Sequence, residues 1–232
     1  MTSSREHAWG QAAGTADLFD GGIATPVAGE RVPLSDGAWL LRGFALDVDA
    51  ALMQAVDAIA HAAPFRHLTT PGGFRMSVAM TNCGRMGWVS DRRGYRYERL
   101  DPCSGQPWPK MPACFVALAS RAAADAGYPG FDPDACLINR YVPGARLTLH
   151  QDRDEARLEA PIVSVSLGVP ASFLWGGLDR RDSTQRHALA HGDVVVWGGA
   201  SRMRFHGIAP LRQGWHPAAG DIRINLTFRC AG

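Results

Sequence analysis

At 232 residues the chain is long enough for one domain with a sizeable core. Its 46% hydrophobic and 20% charged residues exclude a low-complexity or disordered polymer. A formal net charge of +2 is too small for binding by bulk charge, so any site for an acidic partner must come from local placement.

Lys110 is the single lysine among 24 basic residues. Guanidinium forks suit phosphate and carboxylate, although codon bias in the source genome is the simpler account. The cysteines (Cys83, Cys103, Cys114, Cys136 and Cys230) are odd in number and form no CxxC pair, so reduced thiols in a cytoplasmic protein are expected. No stretch has the apolar core of a signal peptide or the length of a membrane span. Residues 1–16 read as a mobile polar tail, with Leu18 and Phe19 the first side chains to dock.

The first strand is expected over 38–44. A helix follows over Asp49–Ala62, where Leu52, Val56, Ile59 and Ala63 form a stripe at helical spacing; Asp47 or Asp49 can cap it and Pro64 stops it. Strands are expected at 74–81 and 95–97. A second helix begins at Pro112, with Phe115, Leu118, Ala119 and Ala122 on one face and Gly127 at its end. The remainder reads as short strands at 136–141, 147–151, 162–167, 172–175, 186–188, 194–197, 204–208 and 222–228. Helices early and many short strands late predict a mainly β, α+β protein: a double-stranded β-helix (jelly roll) core with N-terminal helices.

The first chemical signal is His150-Gln151-Asp152. Residues i and i+2 of a strand share a face, so both side chains can reach one metal ion. A distant histidine would complete the two-histidine, one-carboxylate arrangement of non-heme iron(II) oxygenases. So short a motif also arises by chance, and His191-Gly192-Asp193 fits it equally. That second triplet sits in a turn, where an aspartate more often caps than binds metal. Asp152 lies 54 positions before His206, room for several strands; Asp193 lies only 13 before it. The first triplet is preferred on that ground.

In the C-terminal strand Arg223, Asn225, Thr227 and Arg229 alternate with Ile224, Leu226 and Phe228. Two guanidiniums on one face call for a carboxylate or phosphate. Asn139 and Tyr141 likewise share a face and could grip a small dianion, or equally form a satisfied buried pair.

Long ordered blocks, among them TPGGFRMSVAMTNCGRMGW, GYPGFDPDACLINRYVPGARLTLHQDRDE, HGDVVVWGGASRMRFHGI and RINLTFR, resemble the AlkB family of bacterial alkylated-DNA repair dioxygenases. The resemblance covers nearly all of 18–231 and implies one dioxygenase domain over 17–232. It implies iron(II) held by His150, Asp152 and His206, with 2-oxoglutarate and O2 as cosubstrates. Asn139, Arg140, Tyr141, Arg223, Asn225 and Arg229 would bind 2-oxoglutarate, with Arg229 on its distal carboxylate. A nucleotide-recognition lid would span 67–97. Trp88, Tyr95, Arg96 and Tyr97 would contact nucleic acid, Asp154 the target base, and Arg180 the substrate. Trp88 and His206 could sandwich an extruded base. Phe74 departs from the pattern, standing where the best-known relative has tyrosine.

The implied reaction is oxidative dealkylation of bases such as 1-methyladenine and 3-methylcytosine in DNA, with RNA a further candidate, releasing formaldehyde. The alternatives are an oxygenase acting on a small molecule or protein side chain, and a non-catalytic module that kept the fold. No membrane partner is expected, and a monomer is the default.

Overall fold

The computed structural model describes residues 28–232. The 1–16 tail and the docking of Leu18 and Phe19 lie outside them.

The chain opens with strands β1 (Arg31–Ser35) and β2 (Ala38–Leu41), then helix α1 (Asp49–Ala62). Next come β3 (Arg66–Thr69), β4 (Arg75–Gly84), β5 (Gly87–Asp91) and β6 (Gly94–Glu98), then helix α2 (Ala113–Asp125). The remainder is β7 (Ala135–Tyr141), β8 (Leu147–His150), β9 (Ile162–Gly168), β10 (Ala171–Trp175) and β11 (Gln185–Leu189), followed by β12 (Val194–Trp197), β13 (His206–Ile208) and β14 (Arg223–Arg229).

Alternation decides the layers. On β14, Ile224, Leu226 and Phe228 join a buried cluster with Val163 and Val165 of β9, Leu52, Val56 and Ile59 of α1, and Phe115 and Leu118 of α2. Both helices therefore cover one face of an eight-stranded sheet ordered β1-β2-β12-β9-β14-β7-β4-β3. The opposite face meets a four-stranded sheet, β11-β10-β13-β8, through a second cluster that includes Met80, Tyr141, Ile162 and Trp197 with Phe173, Trp175 and Ile208. Two facing antiparallel sheets of this kind make the expected jelly roll. Strands β5 and β6 form a separate hairpin, with Trp88 opposite Tyr97.

Helix α1 has the predicted bounds, but neither aspartate caps it: Val48 is the N-cap, and Asp47 is paired with Arg121 at 2.7 Å. Pro112 is the N-cap of α2, one position before the first helical residue, where it had been expected. Gly127, at φ +94°, turns the chain out of α2 as expected. Strands β1, β3 and β5 were not anticipated. β1 contains Pro33 and is a sheet edge, the position in which a sheet tolerates proline.

Candidate active site

The pairing of β8 with β13 builds the centre of the site. His150, at the end of β8, lies directly opposite His206, the first residue of β13, with ring centroids 4.5 Å apart. Asp152 follows two residues after His150. Ligand atoms of His150, Asp152 and His206 all lie within 4.8 Å of one another, the one such cluster among the described residues.

The surroundings prepare these groups for a cation. Nδ1 of His150 lies 2.8 Å from the Thr148 carbonyl, and Nδ1 of His206 lies 3.1 Å from the Arg204 carbonyl. A carbonyl only accepts, so each Nδ1 carries a proton and Nε2 is the nitrogen turned toward the metal position. The Nε2 atoms sit 3.8 and 3.7 Å from Asp152 oxygens, beyond hydrogen-bond range. Burial, reinforced by His150, lowers His206 to about 4, so it is neutral at physiological pH. Burial works to raise the Asp152 carboxyl, but Arg229, His206 and His150 outweigh it and hold it well below the usual carboxylate range. Two imidazoles and one carboxylate are the donor set a divalent first-row metal takes.

Behind the triad, β14 presents its polar face between the sheets. Arg223 pairs with Tyr141 and Asn225 with Asn139 across the β14–β7 ladder. All four are buried, and several of their polar atoms have no partner: the Tyr141 hydroxyl, Nε and Nη1 of Arg223, and Oδ1 of Asn139. Burial, opposed by Arg223, pushes the Tyr141 phenol up to about 12, so it remains a donor. Unpaired buried donors carry a desolvation penalty that a small anion would relieve. The triad, these four residues, Arg229 and Trp197 line one cavity of about 950 Å³.

Arg229 is already engaged. Its Nη2 and Nε lie 2.9 and 3.2 Å from Oδ2 of Asp152, and its Nε lies 3.2 Å from Glu155. Its fork is filled by protein carboxylates, whereas Arg223 has free N–H groups, so Arg223 is a second candidate beside Arg229 for the distal carboxylate of 2-oxoglutarate. Arg140 departs from expectation. As the neighbour of Asn139 and Tyr141 along β7 it faces the other way, with its Cζ 4.7 Å above the Phe65 ring, outside the cavity.

At the mouth, Trp88 and Tyr95 stack at 5.5 Å with 12° between planes, and Nε1 of Trp88 donates to Asp154 at 3.0 Å. Trp88 thus lines the cavity, stacked on Tyr95. Asn82 of β4 brackets Trp88, donating to its carbonyl and accepting from its N–H, each at 3.0 Å. Arg180 reaches the cavity while donating to the Leu149 carbonyl at 2.7 Å, and exposed Arg75, Arg146 and Arg153 complete a basic rim. Phe74, 77% exposed, projects beside them.

Arg96 and Tyr97 do not face the cavity. Arg96 is held by Asp91 at 3.0 Å and Glu98 at 2.7 Å, and the Tyr97 hydroxyl donates to Glu155 at 2.7 Å. In the rejected triplet, Asp193 accepts from the N–H groups of Gly43 and Ala190 and from Arg42, while Nε2 of His191 lies 2.8 Å from Asp49. It is a turn cap, as the sequence suggested. Glu155, Arg202 and Asn82 were missed; the only sequence signal was the position of Glu155 in HQDRDE.

Comparison with known proteins agrees with this geometry. The family model described as the 2OG-Fe(II) oxygenase superfamily matches residues 37–229. Over 200 residues the chain is 58% identical to the alpha-ketoglutarate-dependent dioxygenase AlkB of Escherichia coli strain K12, covering 86% of this chain and 93% of that one. It belongs to the AlkB family. A more distant relative, named as the DNA N(6)-methyladenine demethylase ALKBH1C of Arabidopsis thaliana, is 34% identical over 58% of this chain and 35% of its own length. Among solved structures, that of OsALKBH1 superposes with a TM-score of 0.75 at 28% identity, covering 86% of this chain and 99% of that one. As a member of the AlkB family, the protein is an iron(II)- and 2-oxoglutarate-dependent dioxygenase. The donor set and the unpaired anion cradle both fit those groups.

Proposed function

We propose that this protein removes alkyl groups oxidatively from N-alkylated bases of nucleic acid, DNA foremost. The observation that carries the reading is the metal-ligand triad at the floor of a cavity that has an anion cradle behind it and stacked aromatics with an arginine rim in front.

Iron(II) held by His150, Asp152 and His206 would supply, with 2-oxoglutarate and O2, the oxidising chemistry that hydroxylates the alkyl carbon. The remaining work belongs to the chain. Arg223 and the Tyr141 hydroxyl hold the distal carboxylate of 2-oxoglutarate, a role supported by their unpartnered N–H and O–H groups. Asn139 and Asn225 shape the same wall. Arg229 keeps Asp152 anionic and oriented, close to the metal end of the cosubstrate. Trp197 and Phe173 exclude water around His206.

The substrate roles follow from the mouth. Trp88 and Tyr95 offer a flat face to a base taken out of its stack, worth ~1–3 kcal/mol per base. Asp154 exchanges its Trp88 partner for the exocyclic amino group of a cationic alkylated adenine or cytosine, which a carboxylate favours over the neutral base. Arg75, Arg146, Arg153 and Arg180 draw in phosphates. Arg96 and Tyr97 contribute by shaping the hairpin of the 67–97 lid. We place this activity in one unit over 17–232, acting as a cytoplasmic monomer. No helix of the described residues is long and apolar enough to cross a membrane.

The test is formaldehyde release from single-stranded DNA carrying 1-methyladenine or 3-methylcytosine. Release should require both iron(II) and 2-oxoglutarate and be absent with unmodified DNA. Succinate formation without formaldehyde from any methylated DNA or RNA oligonucleotide would turn the reading toward a small-molecule or protein substrate.

A further inference from the structure

Two consecutive carboxylates just after the metal-ligand aspartate each grip one strand of the lid hairpin. Asp154 accepts from Trp88 on β5, and Glu155 accepts from the Tyr97 hydroxyl on β6. The two grips differ. The Asp154 contact is exposed, at the cavity mouth, whereas Glu155 is buried to 7% exposure and does not line the cavity.

Glu155 sits at the centre of a buried ionic network, and the roles given above to Asp152 and Arg229 leave Glu155 itself and Arg202 without one. Its Oε1 accepts the Tyr97 hydroxyl at 2.7 Å and lies 3.2 Å from Nε of Arg229, and its Oε2 accepts from Nη2 of Arg202 at 3.0 Å. Both arginines continue to Asp152. Arg229 donates to its Oδ2 at 2.9 Å, and Arg202 donates to its main-chain carbonyl at 2.6 Å. Asp152 is thus fixed at its side chain and backbone by two guanidiniums, and one carboxylate aligns both. Remove that carboxylate and two buried cations lose their shared counter-charge. Tyr97 connects this network to the hairpin, because it lies directly opposite Trp88 in the β5–β6 ladder.

We propose that Glu155 is a positioning residue for Asp152, and that its bond to Tyr97 links the seating of the lid to the geometry of the metal and 2-oxoglutarate site. The idea rests on the dioxygenase reading above. A base entering between lid and cavity moves Trp88, and the ladder carries that displacement to Tyr97 and so to Glu155 and Arg229. Such a link is reciprocal: substrate on the lid tightens the cosubstrate, and cosubstrate tightens the substrate.

The experiment measures the dissociation constant of 2-oxoglutarate on the manganese(II)-loaded protein without oxygen, with and without a 3-methylcytosine oligonucleotide. In the natural protein the oligonucleotide should tighten 2-oxoglutarate at least about fivefold. In Tyr97→Phe, affinity without oligonucleotide should stay within about twofold of the natural value, while the tightening falls to about unity. Glu155→Gln should lose the tightening too, and should also weaken manganese about 10- to 100-fold, the range for residues supporting metal ligands. A purely structural Tyr97 would lower the melting temperature and leave the tightening intact, which overturns the proposal. So does a natural protein in which the oligonucleotide has no effect. If Tyr97→Phe does not fold, Glu155→Gln reads the same ratio. Failure of 2-oxoglutarate to bind the natural protein at all would sink the dioxygenase reading and this link with it, whereas binding with an unchanged ratio in both variants sinks the link alone.

Discussion

The two arginines of β14 have the same chemistry and opposite circumstances. Arg223 is fully buried with Nε and Nη1 unpaired, and burial lowers its affinity for its own proton; Arg229 is buried against Asp152, Tyr97 and Glu155, which raise it. Replacing each with alanine should therefore give different defects. Arg223→Ala should fold normally, retain manganese, and bind 2-oxoglutarate about 10- to 100-fold more weakly, the worth of a lost charge-assisted hydrogen bond. Arg229→Ala leaves a buried aspartate without its main partner and should cost ~3–5 kcal/mol of stability by urea denaturation, with loss of metal. If Arg229→Ala proved fully stable and impaired only in 2-oxoglutarate binding, Arg229 and not Arg223 would be the residue that holds the distal carboxylate. Alternation in RINLTFR was enough to find both guanidiniums. It could not say which carboxylate each meets, because that depends on how the 152–155 segment folds over the far end of β14.

At the level of elements, the site depends on how closely β8 and β13 approach. Gly207, beside His206, has no room for a side chain: an added Cβ would fall 2.7 Å from the Leu147 carbonyl oxygen and 3.1 Å from the Thr148 carbonyl carbon. These are backbone atoms and cannot turn aside. Gly207→Ala should push β13 away from β8, separate the two histidines, and weaken manganese binding by about 10- to 100-fold in a direct titration. Unchanged affinity would show that the strands can part without moving the ligands. The lid gives a complementary case. Asn82→Ala removes both hydrogen bonds that hold the Trp88 backbone and should weaken the methylated oligonucleotide about tenfold, by the worth of one to two hydrogen bonds. Binding of 2-oxoglutarate alone should not change. The helices were legible because Leu52, Val56 and Ile59, and Phe115, Leu118 and Ala122, repeat at helical spacing toward one core. Strands β1, β3 and β5 were not. They carry no long apolar run, and their pairing comes from partners that folding brings alongside.

Over the whole molecule, the order of the large sheet places β14 between β9 and β7, strands that precede it by many residues. No local pattern encodes that order; it follows from closing two sheets over a shared core, and it delivers the polar face of β14 to the interior. The same closure buries two of the metal ligands, Asp152 and His206, with a consequence for acid stability. His206 has its pKa lowered to about 4, against an ordinary value of 6.5, because burial opposes its charged form. In the unfolded chain this imidazole takes up a proton as pH falls through about 6.5, whereas in the folded protein it does so only near 4. The unfolded state then binds more protons, so stability is complete above pH 6.5 and declines as pH drops toward 4. Each pH unit separating the folded from the unfolded value corresponds to about 1.4 kcal/mol, so His206 alone accounts for a loss of up to ~3 kcal/mol in metal-free protein. His187 and His216, also lowered by burial, act with the same sign, and Asp152 extends the loss below the usual carboxylate range. Bound metal should steepen the decline, since only neutral imidazole ligates. Urea denaturation of metal-free protein at pH 7.5, 6, 5 and 4.5 measures the slope, and His206→Gln should flatten a large part of it. A natural protein equally stable at pH 7 and pH 4.5 would mean that His206 is charged or solvated in the folded state, and that the buried, neutral His206 on which the site depends does not form.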